Sequence, residues 1–198
     1  MRIAIVTFDG FNEIDSFVAL SMLNRVKRPG WKAEIAAPSP TVTSMNGVRI
    51  ERQQPLAFAR EADVVLVGSG SRTREVVADP QIMSELVFDP ARQLVTAQCS
   101  GTLVLAKLGL LHRIAACTDT TTKPWVIEAG VRVAGQPFYA SGNIATSGGC
   151  LASHYLATWI IARTAGREAA SEVLSYVAPV GEQVGWTSRA FEALDQYL

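Results

Sequence analysis

The sequence is poor in the residues on which several classes of protein depend. It has only three cysteines, Cys99, Cys117 and Cys150, and two histidines among 198 residues. Cysteines that are widely spaced and odd in number do not suit a disulfide framework, and they lack metal-ligand spacing. The sequence therefore argues against a disulfide-stapled or metal-stabilised domain. It favours a reducing, cytoplasmic setting with no bound metal.

Charge of one sign and long apolar runs are also lacking. Eighteen Lys and Arg residues balance eighteen Asp and Glu residues, so the formal net charge is zero, and no basic run occurs. A nucleic-acid surface needs clustered positive charge, and a membrane span needs ~20 apolar residues in a row. We therefore expect neither nucleic acid nor membrane as a partner. The short apolar N-terminus ends at Asp9 and Gly10, which predicts a first buried strand rather than a secretion signal.

Apolar residues are plentiful, at 48% of the chain against 18% charged residues, which suffices for one domain over residues 1–198. Near-continuous apolar runs alternate with segments of helical periodicity. This alternation is typical of an α/β three-layer sandwich, with helices on both faces of a mostly parallel sheet. Strands are predicted at 2–8, 31–37, 62–67, 94–98, 113–118, 136–139 and 143–146, with a hairpin in 42–50. Helices are predicted at 15–26, 72–78, 81–87, 100–111, 124–129, 151–165, 167–177 and 188–197.

The most informative segment runs from Leu94 to Ala106. An apolar strand ends at Cys99, and a helix of small and aliphatic residues follows Gly101. Such a strand–turn–helix elbow is a known way to present a nucleophile. The helix N-terminus carries partial positive charge, which favours a thiolate at Cys99. A buried structural cysteine is the alternative, but the flanking Gln98 and Ser100 favour a nucleophile.

Two other segments follow predicted strands at the edge where parallel sheets bind their ligands. Asp15 begins the first helix, where it is either an N-cap or a carboxylate that exchanges a proton with Cys99. The Gly68-Ser69-Gly70 turn is either a simple tight turn or a set of backbone donors that forms an oxyanion hole. It lacks the glycine and lysine pattern of a phosphate loop.

The remaining cysteines and histidines carry weaker signals. His112 ends the elbow helix and His154 lies inside a later helix, so a cysteine–histidine dyad has little support. Cys117 and Cys150 are predicted to pack in the core. Cys150 has an alternative, because it follows Gly148-Gly149 at a helix start, where a thiol is partly activated.

Taken in order, these motifs resemble the ThiJ/PfpI superfamily, which is related to class I glutamine amidotransferases. The resemblance covers nearly the whole chain, and the elbow Gln98-Cys99-Ser100-Gly101 is its most specific part. The other matching features are the first strand with an acid at Asp15, the strand Asp63–Val67 with its glycine turn, and Thr146-Ser147-Gly148-Gly149 entering a helix. The resemblance implies a flavodoxin-like sandwich, a homodimer, and a small-molecule substrate handled without a cofactor.

The resemblance also implies roles for individual residues. Cys99 is then the nucleophile and Asp15 the acid. Gly70 and the backbone N–H of Ser100 supply the oxyanion donors, with Ser69 in the same turn. The Ser100 hydroxyl would hold the substrate or a water.

The sequence departs from the family pattern at two places. Many members carry a histidine in the loop after the elbow helix and the next strand, whereas Asp119 stands near that slot here, beside Thr120. The family's Pro-Gly-Gly turn is replaced by Gly68-Ser69-Gly70. The missing histidine argues against amidase or peptidase chemistry by a cysteine–histidine pair, and leaves Asp119 and Thr120 as candidate site-lining residues.

The branch that the pattern most resembles is the isonitrile (isocyanide) hydratases, lyases that work with a cysteine and an aspartate. This likeness implies attack of Cys99 on the isonitrile carbon, a thioimidate, proton transfer by Asp15, and release of an N-formamide by water. Three alternatives stay open: a glyoxalase acting on 2-oxoaldehydes, a redox-sensing or stress protein with an oxidisable Cys99, and a ligand-sensing domain of a transcription regulator. The sequence contains no DNA-binding extension after the core, which favours a stand-alone protein over the last of these.

Overall fold

The structure is a computed structural model that describes residues 1–198 and contains eleven strands and eight α-helices. The strands are β1 (Arg2–Val6), β2 (Lys32–Ala37), β3 (Thr41–Thr43), β4 (Arg49–Glu51), β5 (Gln54–Pro55), β6 (Val64–Val67), β7 (Leu94–Gln98), β8 (Ala115–Ala116), β9 (Arg132–Val133), β10 (Phe138–Ser141) and β11 (Ile144–Ser147). The helices are α1 (Glu13–Leu23), α2 (Thr73–Ala78), α3 (Pro80–Glu85), α4 (Gly101–Lys107), α5 (Lys123–Glu128), α6 (Ser153–Ala165), α7 (Arg167–Val177) and α8 (Gln183–Leu194). No helix is both long enough and apolar enough to cross a lipid bilayer.

Seven strands form the central sheet, in the order β10-β11-β7-β6-β1-β2-β5. Every neighbouring pair is parallel except β10 and β11, which form an antiparallel pair at one edge. The predicted flavodoxin-like, mostly parallel sheet is therefore confirmed. Strands β1, β6 and β7 lie side by side in the middle, so the loops that follow them meet at one edge of the sheet.

Hydrophobic clusters cover both faces of this sheet. Along β1, Ile3 and Ile5 join the cluster under α1, α6, α7 and α8, whereas Ala4 and Val6 join the cluster under α2, α4 and α5. This alternation follows from the two-residue period of a strand. Because both faces are buried, the central strands are apolar at nearly every position, which is why the sequence pattern identified them.

The hairpin predicted at Asn46-Gly47 is confirmed, since β3 and β4 pair as antiparallel strands around it. Besides shifts of a few residues in other bounds, such as α8 at Gln183–Leu194 against a prediction of 188–197, two predictions differ from the structure. Only Ala115–Ala116 of the predicted strand 113–118 is extended, and it pairs with β9 in a separate two-stranded sheet. Helix α4 ends at Lys107 rather than at residue 111. Both differences lie at element ends, which apolar periodicity places poorly.

Candidate active site

The predicted elbow is present between β7 and α4. Cys99 has a φ of 47°, in the left-handed region that a residue with a side chain seldom adopts. Two neighbouring elements hold this conformation: the Cys99 N–H donates to the Ser147 carbonyl at 2.8 Å, and the Thr118 hydroxyl donates to the Cys99 carbonyl at 2.8 Å. Strained backbone of this kind persists where surrounding bonds over-determine it, and it is common at reactive positions.

A glycine two residues after Cys99 lets the elbow approach the sheet closely. A Cβ atom on Gly101 would lie 2.4 Å from the Val67 carbonyl oxygen and 2.8 Å from the Gly68 carbonyl oxygen. No ordinary side chain fits there without moving the backbone of β6 or α4. The sequence signal Cys99-Ser100-Gly101 therefore has a steric cause.

Asp15 is fully buried in the first turn of α1. It does not cap the helix, because Asn12 does so by accepting the Ile14 N–H at 3.1 Å. One Asp15 oxygen accepts a hydrogen bond from the Ser69 hydroxyl. The other oxygen, Oδ1, has no hydrogen-bond partner. Of the two interpretations of Asp15, the N-cap is therefore wrong, and a carboxyl group with one free oxygen lies at the strand ends.

Cys150 lies in the same site, which corrects the prediction that it packs in the core. An oxygen of Asp15 and the sulfur atoms of Cys99 and Cys150 all lie within 4.8 Å of one another. Cys150 is half-buried, and its sulfur accepts a hydrogen bond from the Asn12 amide at 3.1 Å. It occupies a second strand-to-helix turn, after β11, whose end is adjacent to β7 in the sheet. Cys117 does pack in the core and is fully buried.

Gln98 connects the two cysteine turns, a role that the sequence analysis missed. Its side-chain amide donates to the Gly149 carbonyl at 2.9 Å and to the Cys99 sulfur at 3.4 Å. Its carbonyl oxygen accepts a hydrogen bond from the Ser147 hydroxyl. The sequence signal for this role is that Gln98, a polar residue, ends an otherwise apolar strand.

Burial controls the protonation of the cluster. Removal from water raises the pKa of Cys99 well above its usual range, and the nearby Asp15 carboxylate raises it further. This shift runs against the expectation of a thiolate at the helix N-terminus, because burial and the Asp15 charge both oppose the ionised form of Cys99. Burial also raises the pKa of Asp15, partly offset by the Ser69 hydroxyl. Burial therefore favours the protonated thiol form of Cys99.

The glycine turn has a packing role that constrains its use as an oxyanion hole. A Cβ on Gly70 would lie 2.6 Å from the Gly10 carbonyl oxygen. The Gly70 N–H donates to the Ser100 hydroxyl oxygen at 3.0 Å, and that oxygen lies 2.7 Å from the Thr73 hydroxyl. The backbone N–H of Ser100 has no acceptor in the chain. Of the two predicted oxyanion donors, only the Ser100 N–H is free in this conformation.

Asp119 and Thr120, at the vacant histidine slot, make no hydrogen bond to Cys99. Asp119 accepts the N–H groups of Thr121 and Thr122, both at 2.9 Å, and Thr120 is exposed. His154 hydrogen-bonds to a backbone carbonyl of its own helix end and packs on aromatic rings, and His112 is exposed. No imidazole is therefore available as a partner of the thiol.

The site is closed in this conformation. Cys99 is only 3% exposed. Cavities of about 430, 380 and 360 Å³ elsewhere on the molecule are lined by other residues. Asp15, Cys99 and Cys150 also form the one group of donor atoms with the proximity needed to hold a metal ion.

Comparisons with known proteins support the resemblance in the sequence. Residues 1–163 match the family model of the DJ-1/PfpI family. Similar solved structures, each with a TM-score of 0.77, include Schizosaccharomyces pombe DJ-1 (15% identity, 90% of this chain and 100% of that chain), an oxidized form of Toxoplasma gondii DJ-1 (18%, 89% and 97%) and a ThiJ/PfpI family protein from Pseudomonas syringae (20%, 98% and 88%). The comparison with curated proteins gives no match. At these identities the structural likeness shows a shared fold.

Proposed function

Because this chain belongs to the DJ-1/PfpI family, we propose that it is a cysteine-dependent hydratase that adds water to small isonitriles through a Cys99 thioimidate. The observation that carries the proposal is the buried pairing of Cys99 with Asp15 in a site that contains no imidazole. A thiol with a single proton carrier suits an addition reaction. Amide or ester cleavage also requires protonation of a leaving group, for which imidazole is the usual acid.

A protonated Cys99 thiol beside the Asp15 carboxyl group fits the first step of this reaction, which uses the ionised form of Asp15. Asp15, through its unpaired Oδ1, accepts the proton of the Cys99 thiol as the sulfur attacks the terminal isonitrile carbon. A carbon–sulfur bond forms, and Asp15 then delivers the proton to the same carbon. The product of these transfers is a neutral thioimidate on Cys99.

Water completes the reaction. Its oxygen adds to the thioimidate carbon, the carbon–sulfur bond breaks, and the two water protons end on the product nitrogen and on Cys99 after keto tautomerisation. The net change is isonitrile plus water to N-formamide. The free Ser100 N–H is the donor available to bind charge that develops during the addition, and the Ser100 hydroxyl lies beside it to orient the water. A second donor from Gly70 requires the Ser100 hydroxyl to turn away.

The test is product analysis with short alkyl isonitriles. Wild-type protein is expected to form the N-formamide, detected by NMR, and Cys99→Ala is expected to lose all turnover while keeping its circular dichroism spectrum. Cys117→Ser removes another buried thiol and serves as the matched control with turnover intact. Formamide production by Cys99→Ala, or none by the wild type across the series, contradicts the proposal.

A redox or stress role is the second candidate, and the observation that favours it is the pair of neighbouring sulfur atoms of Cys99 and Cys150. One structural relative was solved in an oxidized form. A glyoxalase activity would use the same Cys99 and Asp15. Parallel assays with 2-oxoaldehydes, in which Cys99→Ala is the common control, distinguish that reaction from isonitrile hydration.

The proposed assembly is a homodimer in a reducing, cytoplasmic compartment. All three cysteines are free thiols, which suits such a compartment. A groove between α1 and the C-terminal helices exposes apolar side chains, including Leu151 at 72% exposure, beside Phe17, Val177 and Trp186. Exposed apolar surface of this kind is typical of protein–protein contacts, and a second copy is the partner that the family resemblance implies.

A further inference from the structure

Cys99 and Cys150 have the proximity of a dithiol pair. Their sulfur atoms lie within 4.8 Å of each other, and a carboxylate oxygen of Asp15 lies within the same distance of both. A disulfide bond is about 2.0 Å long, so closing it requires the two sulfur atoms to approach by roughly 3 Å at most. Both residues are free thiols. Cys117 is fully buried and does not belong to this group, so the chain contains its own reference thiol.

The two cysteines differ in how firmly they are held. Cys99 is fixed between β7 and α4 by hydrogen bonds at both its N–H and its carbonyl. Cys150 opens a three-residue 3-10 turn and is held at its carbonyl by the Ser153 hydroxyl at 2.8 Å, but its N–H has no acceptor in the chain. The preceding Gly149 is exposed, has a φ of 90°, and has open space where a side chain would lie. A movement of about 3 Å is therefore expected in the Cys150 turn. Gln98 keeps that turn beside the elbow through its bond to the Gly149 carbonyl.

We propose that Cys150 is the resolving thiol of Cys99, and that oxidation of the site by a hydroperoxide ends in a reversible Cys99–Cys150 disulfide. Disulfide formation does not depend on the hydration reaction, because it involves only the sulfur atoms of Cys99 and Cys150 and the added hydroperoxide. It assigns a function to Cys150, which the hydratase mechanism does not use. Because the disulfide occupies the nucleophile, oxidation would also switch off any reaction that depends on Cys99.

The chemistry takes two steps. In the first, the Cys99 sulfur attacks a peroxide oxygen: the O–O bond breaks, an S–O bond forms, the sulfur loses two electrons, and the thiol proton leaves with the alcohol or water. In the second, the Cys150 sulfur attacks the Cys99 sulfenic acid: the S–O bond breaks, the S–S bond forms, and the hydroxyl leaves as water with the Cys150 proton. Asp15 lies within reach of both thiols to carry these protons. A dithiol reductant restores the two thiols by exchange.

The test is intact-protein and peptide mass spectrometry after treatment with hydrogen peroxide. Wild type is expected to lose two hydrogen atoms and to yield a linked peptide pair containing Cys99 and Cys150, which dithiothreitol separates. Cys150→Ser is expected to gain two or three oxygen atoms at Cys99 instead, as sulfinic or sulfonic acid that dithiothreitol does not reverse. The matched control Cys117→Ser should behave as the wild type does.

Several results would overturn the pairing. One is that the wild type adds oxygen at Cys99 while Cys150 can still be alkylated. The others are a disulfide between two chains on a non-reducing gel, and a wild-type mass that does not change. Cys99→Ser supplies a second check, since its Cys150 should stay free under peroxide. Isonitrile turnover is measured on the reduced samples. If the hydration assay fails, the mass-spectrometric result on the disulfide still stands, and if no disulfide forms, the hydration result still stands.

Discussion

At the residue scale, Asp15 is the feature that most needs explanation. A fully buried carboxyl group with one oxygen bonded only to Ser69 and the other unpaired is costly to maintain in its charged form. Folding alone does not require it, because Asn12 already caps α1. A buried carboxyl group that has no structural partner for one oxygen and lies beside a thiol is the pattern expected of a site that serves chemistry.

Asp15→Asn is therefore expected to stabilise the protein near neutral pH. Burial raises the pKa of Asp15, so the folded state binds the proton more tightly than the unfolded state does. Wild-type stability then falls as pH rises from the usual aspartate value of about 4 to the raised folded value, and the loss is complete above it. Asparagine does not titrate, so Asp15→Asn does not lose stability as the pH rises through this range. Denaturant unfolding should show a higher free energy of unfolding for the variant at pH 7, and the gain should vanish below about pH 4.

Glu128→Gln is the control for this prediction, because it removes an exposed carboxylate from α5 and so isolates the effect of burial from that of net charge. A destabilised Asp15→Asn variant at pH 7, or a gain that is equal at all pH values, would show that burial of the Asp15 charge does not weaken the folded state.

At the element scale, the approach of α4 to the end of β6 fixes the position of Cys99, the proposed nucleophile. Gly101→Ala is expected to destabilise the protein by about 1–3 kcal/mol, because its Cβ would lie 2.4 Å from a backbone carbonyl. Any displacement of the elbow should also slow turnover. Thermal and denaturant unfolding, together with the isonitrile assay, measure the two effects.

Gly185→Ala is the matched control for Gly101→Ala. Gly185 lies in α8, is exposed, and has open space where a Cβ atom would lie, so alanine there should be neutral or stabilising by up to about 1 kcal/mol. Equal effects of the two substitutions would contradict a steric requirement at the elbow.

The sequence predicted the elements that carry strong local signals. The strands β1, β6 and β7 are buried on both faces, so their apolar runs are unmistakable, and the loops after them contain Asp15, Ser69 and Cys99. The position of Cys150 depends on β11 pairing beside β7, which is a tertiary fact with no local signature. Two other features also depend on tertiary packing and have no local signature in the sequence. They are the hydrogen bond from the Gly70 N–H to the Ser100 hydroxyl and the burial that raises the pKa of Cys99.

At the scale of the whole molecule, the apolar groove beside α1 and α6 predicts self-association. Leu151→Lys places a charge in the middle of that exposed surface and should convert a dimer into a monomer in analytical ultracentrifugation. Val87→Lys, at an exposed apolar position outside the groove, is the control and should leave the sedimentation coefficient unchanged. A monomeric wild type, or a dimer that tolerates Leu151→Lys, would contradict this interface.

The central claim is that Asp15 moves the proton of the Cys99 thiol, and one paired measurement tests it most directly. The rate of Cys99 alkylation by iodoacetamide and the rate of isonitrile turnover are measured for wild type and Asp15→Asn. Because the Asp15 charge contributes to the raised pKa of Cys99, alkylation of the variant should be faster at alkaline pH. Turnover should fall by about 10²-fold or more, since the proton carrier is lost.

Glu13→Gln is the control, because Glu13 lies in the same first turn of α1 but hydrogen-bonds to Ser44 and Asn46 rather than to the site. The account predicts opposite changes in the two rates for Asp15→Asn and no change in either for Glu13→Gln. Turnover that survives in Asp15→Asn, or that changes in step with alkylation, would contradict it.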